Sequence, residues 1–99
     1  LTKNIPKYHS TPEMRIDCDS DEEKFKITKK AVDFFTSNYD CITTDGVRIK
    51  FKDGWGLVRS SNTQPVIVCR FEAKTKKKLL KYKQLVLNQL SKFGNINYV

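Results

Sequence analysis

The chain lacks any run of eighteen apolar residues and any apolar stretch near its start, so it predicts neither a membrane-spanning helix nor a secretory leader. Its three cysteines, Cys18, Cys41 and Cys69, are odd in number and far apart. With no CxxC pair there is no zinc motif, and no triad pattern surrounds them. They read as reduced, small apolar residues on strands, which fits a cytoplasmic compartment. The one histidine, His9, lies in a stretch without periodicity and reads as solvent-exposed rather than catalytic. Carboxylates are the scarce charge: 11 Asp and Glu stand against 19 Lys and Arg, a net charge of +8. That excess favours anionic partners such as nucleic acid, acidic lipid or phosphorylated small molecules. A lysine-rich composition that only confers solubility fits the same number.

What is present suits one small domain. The 99 residues are 38% hydrophobic, enough for a single core and too few for two domains. The first residue is Leu1, which suggests an excised piece or a processed product. Residues 1–11 (LTKNIPKYHST) read as a linker or hinge. EMRIDCD alternates as a half-buried strand. Ser20 and Glu23 form a capping-box pattern that opens a helix, with Asp21 and Glu22 suiting its positive end. Phe25, Val32, Phe35 and Tyr39 recur at helical spacing, with Ile27, Ala31 and Phe34 beside them, and read as core, with the helix ending near Asn38.

From Cys41 the period changes to two. Asp45-Gly46 and Asp53-Gly54 each read as a two-residue hairpin turn with positive φ at both positions. Val47, Ile49 and Phe51 alternate between them, and VIVCRFEA follows as another strand. Thr75 caps a last helix along which Leu79, Tyr82, Val86, Leu90 and Phe93 form the apolar stripe, and Gly94 is its stop. Lys76, Lys77 and Lys78 occupy the unfavourable end of that helix and read as surface drift. The order is β-α-β-β-β-β-α, an α+β fold with helices on one face of an antiparallel sheet.

Between two of these strands stands RSSNTQP, residues 59–65. It combines a guanidinium, hydroxyls and carboxamides, and contains no carboxylate. Arg59 offers a planar fork that matches two phosphate oxygens; Ser60, Ser61, Asn62 and Thr63 add short neutral donors, and exposed N–H groups can form an anion nest. Chemistry alone allows a phosphate-monoester clamp or a polar turn that satisfies its own backbone. Both stand.

DGVRIKFKDGWGLVRSSNTQPVIVCRFEAKT resembles the C-terminal, fourth domain of the α-D-phosphohexomutases, most closely the bacterial phosphomannomutase/phosphoglucomutase group. The likeness is strongest from Asp45 to Thr75 and continues through STPEMRI and the last helix. Phosphoglucosamine mutases usually carry glycine where Asn62 stands, and Gln64 departs from the family's glutamate or threonine. The resemblance implies a TATA-box-binding-protein-like α+β domain over residues 12–93, an interdomain hinge at 1–11 and a tail at 94–99. It implies a full-length isomerase that moves a phosphoryl group between the 1- and 6-positions of mannose or glucose phosphates through a hexose 1,6-bisphosphate. The phosphoserine and the Mg2+-binding aspartates would lie in the other three domains. Here Arg59, Ser61, Asn62 and Thr63, with Ser60 the weaker member, would hold the substrate phosphate. The same resemblance implies neither nucleic acid nor membrane as a partner. The rival reading is a basic module for single-stranded nucleic acid, using Phe51, Trp55 and Tyr82 with Lys74 and Lys76–Lys78. Phe51 and Trp55 alternate as core residues do, which argues against it.

Overall fold

Among the described residues, alternating apolar positions build an antiparallel sheet of seven strands, and two helices cover one side of it. The computed structural model describes residues 9–44, 46–94 and 96–98. In chain order the elements are β1 (His9–Ser10), β2 (Met14–Cys18), α1 (Asp21–Asn38), β3 (Asp40–Ile42), β4 (Val47–Phe51), β5 (Gly54–Ser60), β6 (Val66–Ala73), α2 (Lys76–Phe93) and β7 (Ile96–Tyr98). Across the sheet they run β3-β4-β5-β6-β2-β7, with β1 beside β6. This is the predicted α+β fold, consistent with a TATA-box-binding-protein-like saddle, extended by a short strand at each end.

Those two strands fall where the sequence suggested a linker and a tail. His9 and Ser10 pair with Ala73 and Glu72, and Ile96–Tyr98 pair with β2. Residues 1–8 of the expected hinge lie outside the described residues. Between β1 and β2 the register on β6 slips by one residue, because Pro12 has no N–H to give to the ladder. Thr11 bridges the slip: its N–H donates to Phe71 O at 3.0 Å, and its hydroxyl accepts from Phe71 N–H at 3.1 Å.

The core lies between sheet and helices. Ile16, Ile49, Val58, Ile67 and Phe71 meet Ile27, Ala31 and Phe35 of α1 and Val86 and Leu90 of α2, all essentially buried. Both N-caps are as predicted. Ser20 Oγ accepts from Glu23 N–H, and Thr75 Oγ1 accepts from Lys78 N–H. On α1 Ile27, Ala31 and Phe35 are buried as expected, and Val32, Phe34 and Tyr39 pack against the core. Phe25 is the exception: it is 56% exposed and Lys24 is buried in its place, because the inward row runs 24, 27, 31, 35.

Other turn and core expectations also change. Phe51 pairs with Gly54, so the second hairpin turn is Lys52-Asp53 rather than Asp53-Gly54, and no residue in it has positive φ. In the first turn Asp45 lies outside the described residues, while Gly46 does have φ of 70°. A side chain on Gly46 would start 2.2 Å from Val58 O and 2.7 Å from Arg59 Cβ, so the turn presses directly on β5. Gly94 ends α2 in extended backbone, not the left-handed form; a Cβ there would meet Glu23 Oε2 at 2.7 Å and Ile27 at 2.9 Å. Trp55 is not core. It stands on the open face of the sheet, opposite Lys50 and Glu72.

Candidate functional site

The connection from β5 to β6 is held from three directions. Ser60 pairs with Ile67 at the end of the ladder, and Ser61 N–H donates to Val66 O at 2.9 Å. Pro65 O accepts from Cys18 N–H on β2 at 2.8 Å, and Val66 N–H turns back to Gln64 O at 2.7 Å. The Gln64 carboxamide oxygen accepts from the Arg15 guanidinium of β2, which gives this departure from the family pattern a partner. From below, the Lys24 ammonium donates to Ser61 O at 2.7 Å and Gln64 O at 3.0 Å. A connection tied to β2, α1 and its own strands is preorganised.

The predicted residues divide between the two faces of the sheet. Arg59 and Val68 are cross-strand neighbours on the open face, and Arg15 flanks Val68 on its other side. Arg59 is engaged within the fold as well as lining the surface. Ser60 points the opposite way: its hydroxyl donates to Thr28 Oγ1 of α1 at 2.8 Å. Ser61 is half-buried, and its Oγ accepts a long bond, 3.4 Å, from Thr63 N–H. Asn62 and Thr63 are exposed at the tip. No carboxylate occurs in the segment, so the tip presents donors without an anion beside them.

Register adds arginines that the sequence reading did not include. Leu57 of β5 faces Arg48 of β4 on one side and Arg70 of β6 on the other. With Arg59 they line an open basin of about 430 Å³, whose other lining residues are Glu13, Ile42, Thr44 and Leu57. Arg48 also lies over the Trp55 ring, 4.8 Å from its centre, and Trp55 Nε1 donates to Glu72 at 3.0 Å. In sequence Arg48 and Arg70 are just polar members of alternating strands. Only the pairing of β4, β5 and β6 shows that they converge.

Of the residues offered for nucleic acid, Phe51, Trp55 and Lys74 line a shared hollow at the surface. Half-buried Phe51 stacks on the buried Tyr82 with ring centres 4.2 Å apart, so these two rings serve the packing of the sheet on α2. Lys78, read as surface drift, binds the Asp53 carboxylate, which Lys74 also approaches. That hydrogen bond, aided by the positive charge of Lys78, Lys74 and Lys52, holds the Asp53 carboxyl below its ordinary range. The unfavourable position at the helix start is therefore offset by a partner in the β4–β5 turn. All three cysteines are free thiols on strands, and burial pushes Cys69 up to about 12. Among the described residues no three His, Cys, Asp or Glu side chains are grouped to hold a metal ion, and no helix is long and apolar enough to cross a membrane.

Fold and site together define a class: a small α+β domain whose basic open face ends in a rigid, donor-rich connection. Residues 13–89 match the family described as phosphoglucomutase/phosphomannomutase, C-terminal domain. The chain is 44% identical over 89 residues to a phosphomannomutase/phosphoglucomutase of Pseudomonas putida, covering 87% of this chain and 19% of that protein. It is 40% identical over 74 residues to a phosphoglucomutase of Neisseria gonorrhoeae, covering 73% of this chain and 16% of that one. A crystal structure of a phosphoglucomutase/phosphomannomutase family protein from Burkholderia thailandensis superposes with a TM-score of 0.69 at 31% identity, over 93% of this chain and 20% of that one. The chain belongs to the phosphoglucomutase/phosphomannomutase family as its C-terminal domain, and spans about a fifth of the length of these relatives.

Proposed function

We propose that residues 59–65 clamp the non-reacting phosphate of a hexose phosphate, and that this domain closes over the sugar in a phosphohexomutase. The reaction interconverts mannose or glucose 1- and 6-phosphates through a hexose 1,6-bisphosphate. The supporting observation is a carboxylate-free connection, fixed by β2 and α1, that turns Arg59, Ser61, Asn62 and Thr63 toward solvent or the open face. Ser60, committed to Thr28, is left supporting the connection rather than touching phosphate.

Such a clamp suits the chemistry. The sugar must offer either end to one phosphoryl donor, so a site that grips a phosphate without reading its carbon serves both half-reactions. Binding at the remote end then orients the reacting end. Residues 1–11 would be the hinge for closure, and the other three domains of the parent its partners. Mg2+ does not fit the side chains described here, so the proposal assigns it, with the phosphoserine, to other parts of the protein.

Affinity of the chain alone should be low. A charged hydrogen bond contributes about 1.5–3 kcal/mol and each neutral one about 0.5–1.5 kcal/mol. Association costs at least about 4 kcal/mol, which leaves at most about 3.5 kcal/mol for Arg59 and three neutral donors, binding that is millimolar or weaker. Glucose 1-phosphate titrated into the 15N-labelled chain is expected to shift amides at 59–64, with free glucose inactive and no turnover. Shifts confined to other segments would overturn the clamp.

A further inference from the structure

Lys24 is the one buried charged side chain among the described residues, 1% exposed. Its stem takes the core-facing position that precedes Ile27 on α1, where an apolar residue would pack without losing hydration. The ammonium has three acceptors. Two are the carbonyls of Ser61 and Gln64, and the third is the exposed Asp21 carboxylate at 3.3 Å. The Phe25 ring lies 4.4 Å away on the outer side. Two of the three acceptors therefore belong to the candidate phosphate connection and reach it across the sheet from α1. The same helix turn holds the start of the connection. Ser60 Oγ donates to Thr28 Oγ1, which in turn donates to Lys24 O at 2.8 Å.

We propose that Lys24 is the positioning residue of the phosphate connection: by drawing the Ser61 and Gln64 carbonyls inward, it turns the donors of the tip outward. The argument is peptide geometry. In a planar trans peptide the N–H points opposite to the preceding C=O. With Ser61 O fixed on the ammonium, Asn62 N–H faces away from the domain, and it has no hydrogen-bond partner among the described residues. Gln64 O is followed by Pro65, which has no N–H, so turning that carbonyl inward sacrifices no donor. Acceptors lie beneath the tip and donors above it, the polarity an oxyanion requires. Without the ammonium, Gln64 O would keep only the Val66 N–H while Ser61 O would have to seek water, and the Ser61–Asn62 peptide would lose the reason to keep its orientation.

This inference rests on the phosphate reading of residues 59–65, and the test separates the two. Inorganic phosphate is titrated into 15N-labelled wild-type, Lys24→Met, Lys24→Arg and Arg59→Ala chains, each confirmed as folded by circular dichroism. Lys24→Met is expected to raise the phosphate dissociation constant at least tenfold, about 1.4 kcal/mol, and to abolish the phosphate response of the Asn62 amide. Lys24→Arg should recover part of both. A Lys24→Met chain that is merely less stable, with wild-type affinity and an intact Asn62 response, overturns the positioning role. If Arg59→Ala weakens binding while Lys24→Met does not, Lys24 alone fails. If neither does, or wild type shows no response at 59–64, the phosphate reading fails with it. Hydrogen exchange in the wild-type chain needs no variant: Asn62 N–H should exchange freely and slow when phosphate is added. Protection of that amide without phosphate would refute its outward orientation even if Lys24→Met does not fold.

Discussion

Gly46→Ala should be the most damaging single-methyl change in the β3–β4 turn, and its magnitude follows from two separable effects. The backbone there has φ of 70°, which costs an L-residue about 1–2 kcal/mol. The new Cβ would also start 2.2 Å from Val58 O and 2.7 Å from Arg59 Cβ. Because the first of these is main chain in a paired strand, it cannot rotate aside, and overpacking of that kind costs about 1–3 kcal/mol. Together they predict a loss of about 2–5 kcal/mol. At about 4–8 °C per kcal/mol for a domain of this size, the melting temperature should fall by at least about 8 °C. Gly94→Ala is the control. Its backbone is extended and its contacts, Glu23 Oε2 and the buried Ile27, are side chains rather than main chain, so it carries only the packing cost and should lose less. Thermal melts by circular dichroism read both. A Gly46→Ala melt within about 2 °C of wild type, or a larger loss at Gly94, would refute the argument that this turn bears on β5 beside Arg59.

Ser60→Ala should cost mainly stability, about 0.5–1.5 kcal/mol for the lost bond to Thr28, and weaken phosphate binding less than Arg59→Ala does. Ser61→Ala should do the reverse, and chemical denaturation beside phosphate titration tells the two apart. Asp53, held low by Lys78, contributes stability that is present above its unfolded value of about 4 and lost as pH falls through the depressed folded one. Asp53→Asn should therefore flatten the acid limb of melting temperature against pH, and an unchanged limb would dismiss the pair. Iodoacetamide near pH 8 should label half-exposed Cys41 well before Cys69, whose thiol is buried and raised to about 12. Mass spectrometry of the labelled peptides decides it.

Much of this fold was readable because local signals agreed with one another. Ser20 and Thr75 cap the helices as their spacing suggests, and the alternation of Val47, Ile49 and Phe51 does give a strand with one buried face. The errors came where long-range geometry overruled a local pattern. Phe25 looked like core, but the helix had to bring Lys24 under the β5–β6 connection. Asp53-Gly54 looked like a primed turn, yet Asp53 is a turn residue whose carboxylate serves Lys78, and Gly54 already belongs to β5. Residues 96–98 carry no strong strand signal of their own and pair because β2 has a free edge. For the site, the motif located Arg59 and the tip residues. Arg48 and Arg70 needed the register, and Lys24 and Arg15 needed the three-dimensional approach of α1 and β2 to a segment far away in sequence.

The most direct measurement is a crystal structure of the chain with glucose 1-phosphate bound. The account predicts phosphate oxygens within hydrogen-bond distance of the Arg59 guanidinium and Asn62 N–H, with Lys24 still holding the carbonyls of Ser61 and Gln64. A phosphate seated only on Arg48 and Arg70, or at the start of α2, with the tip of the connection empty, would contradict it.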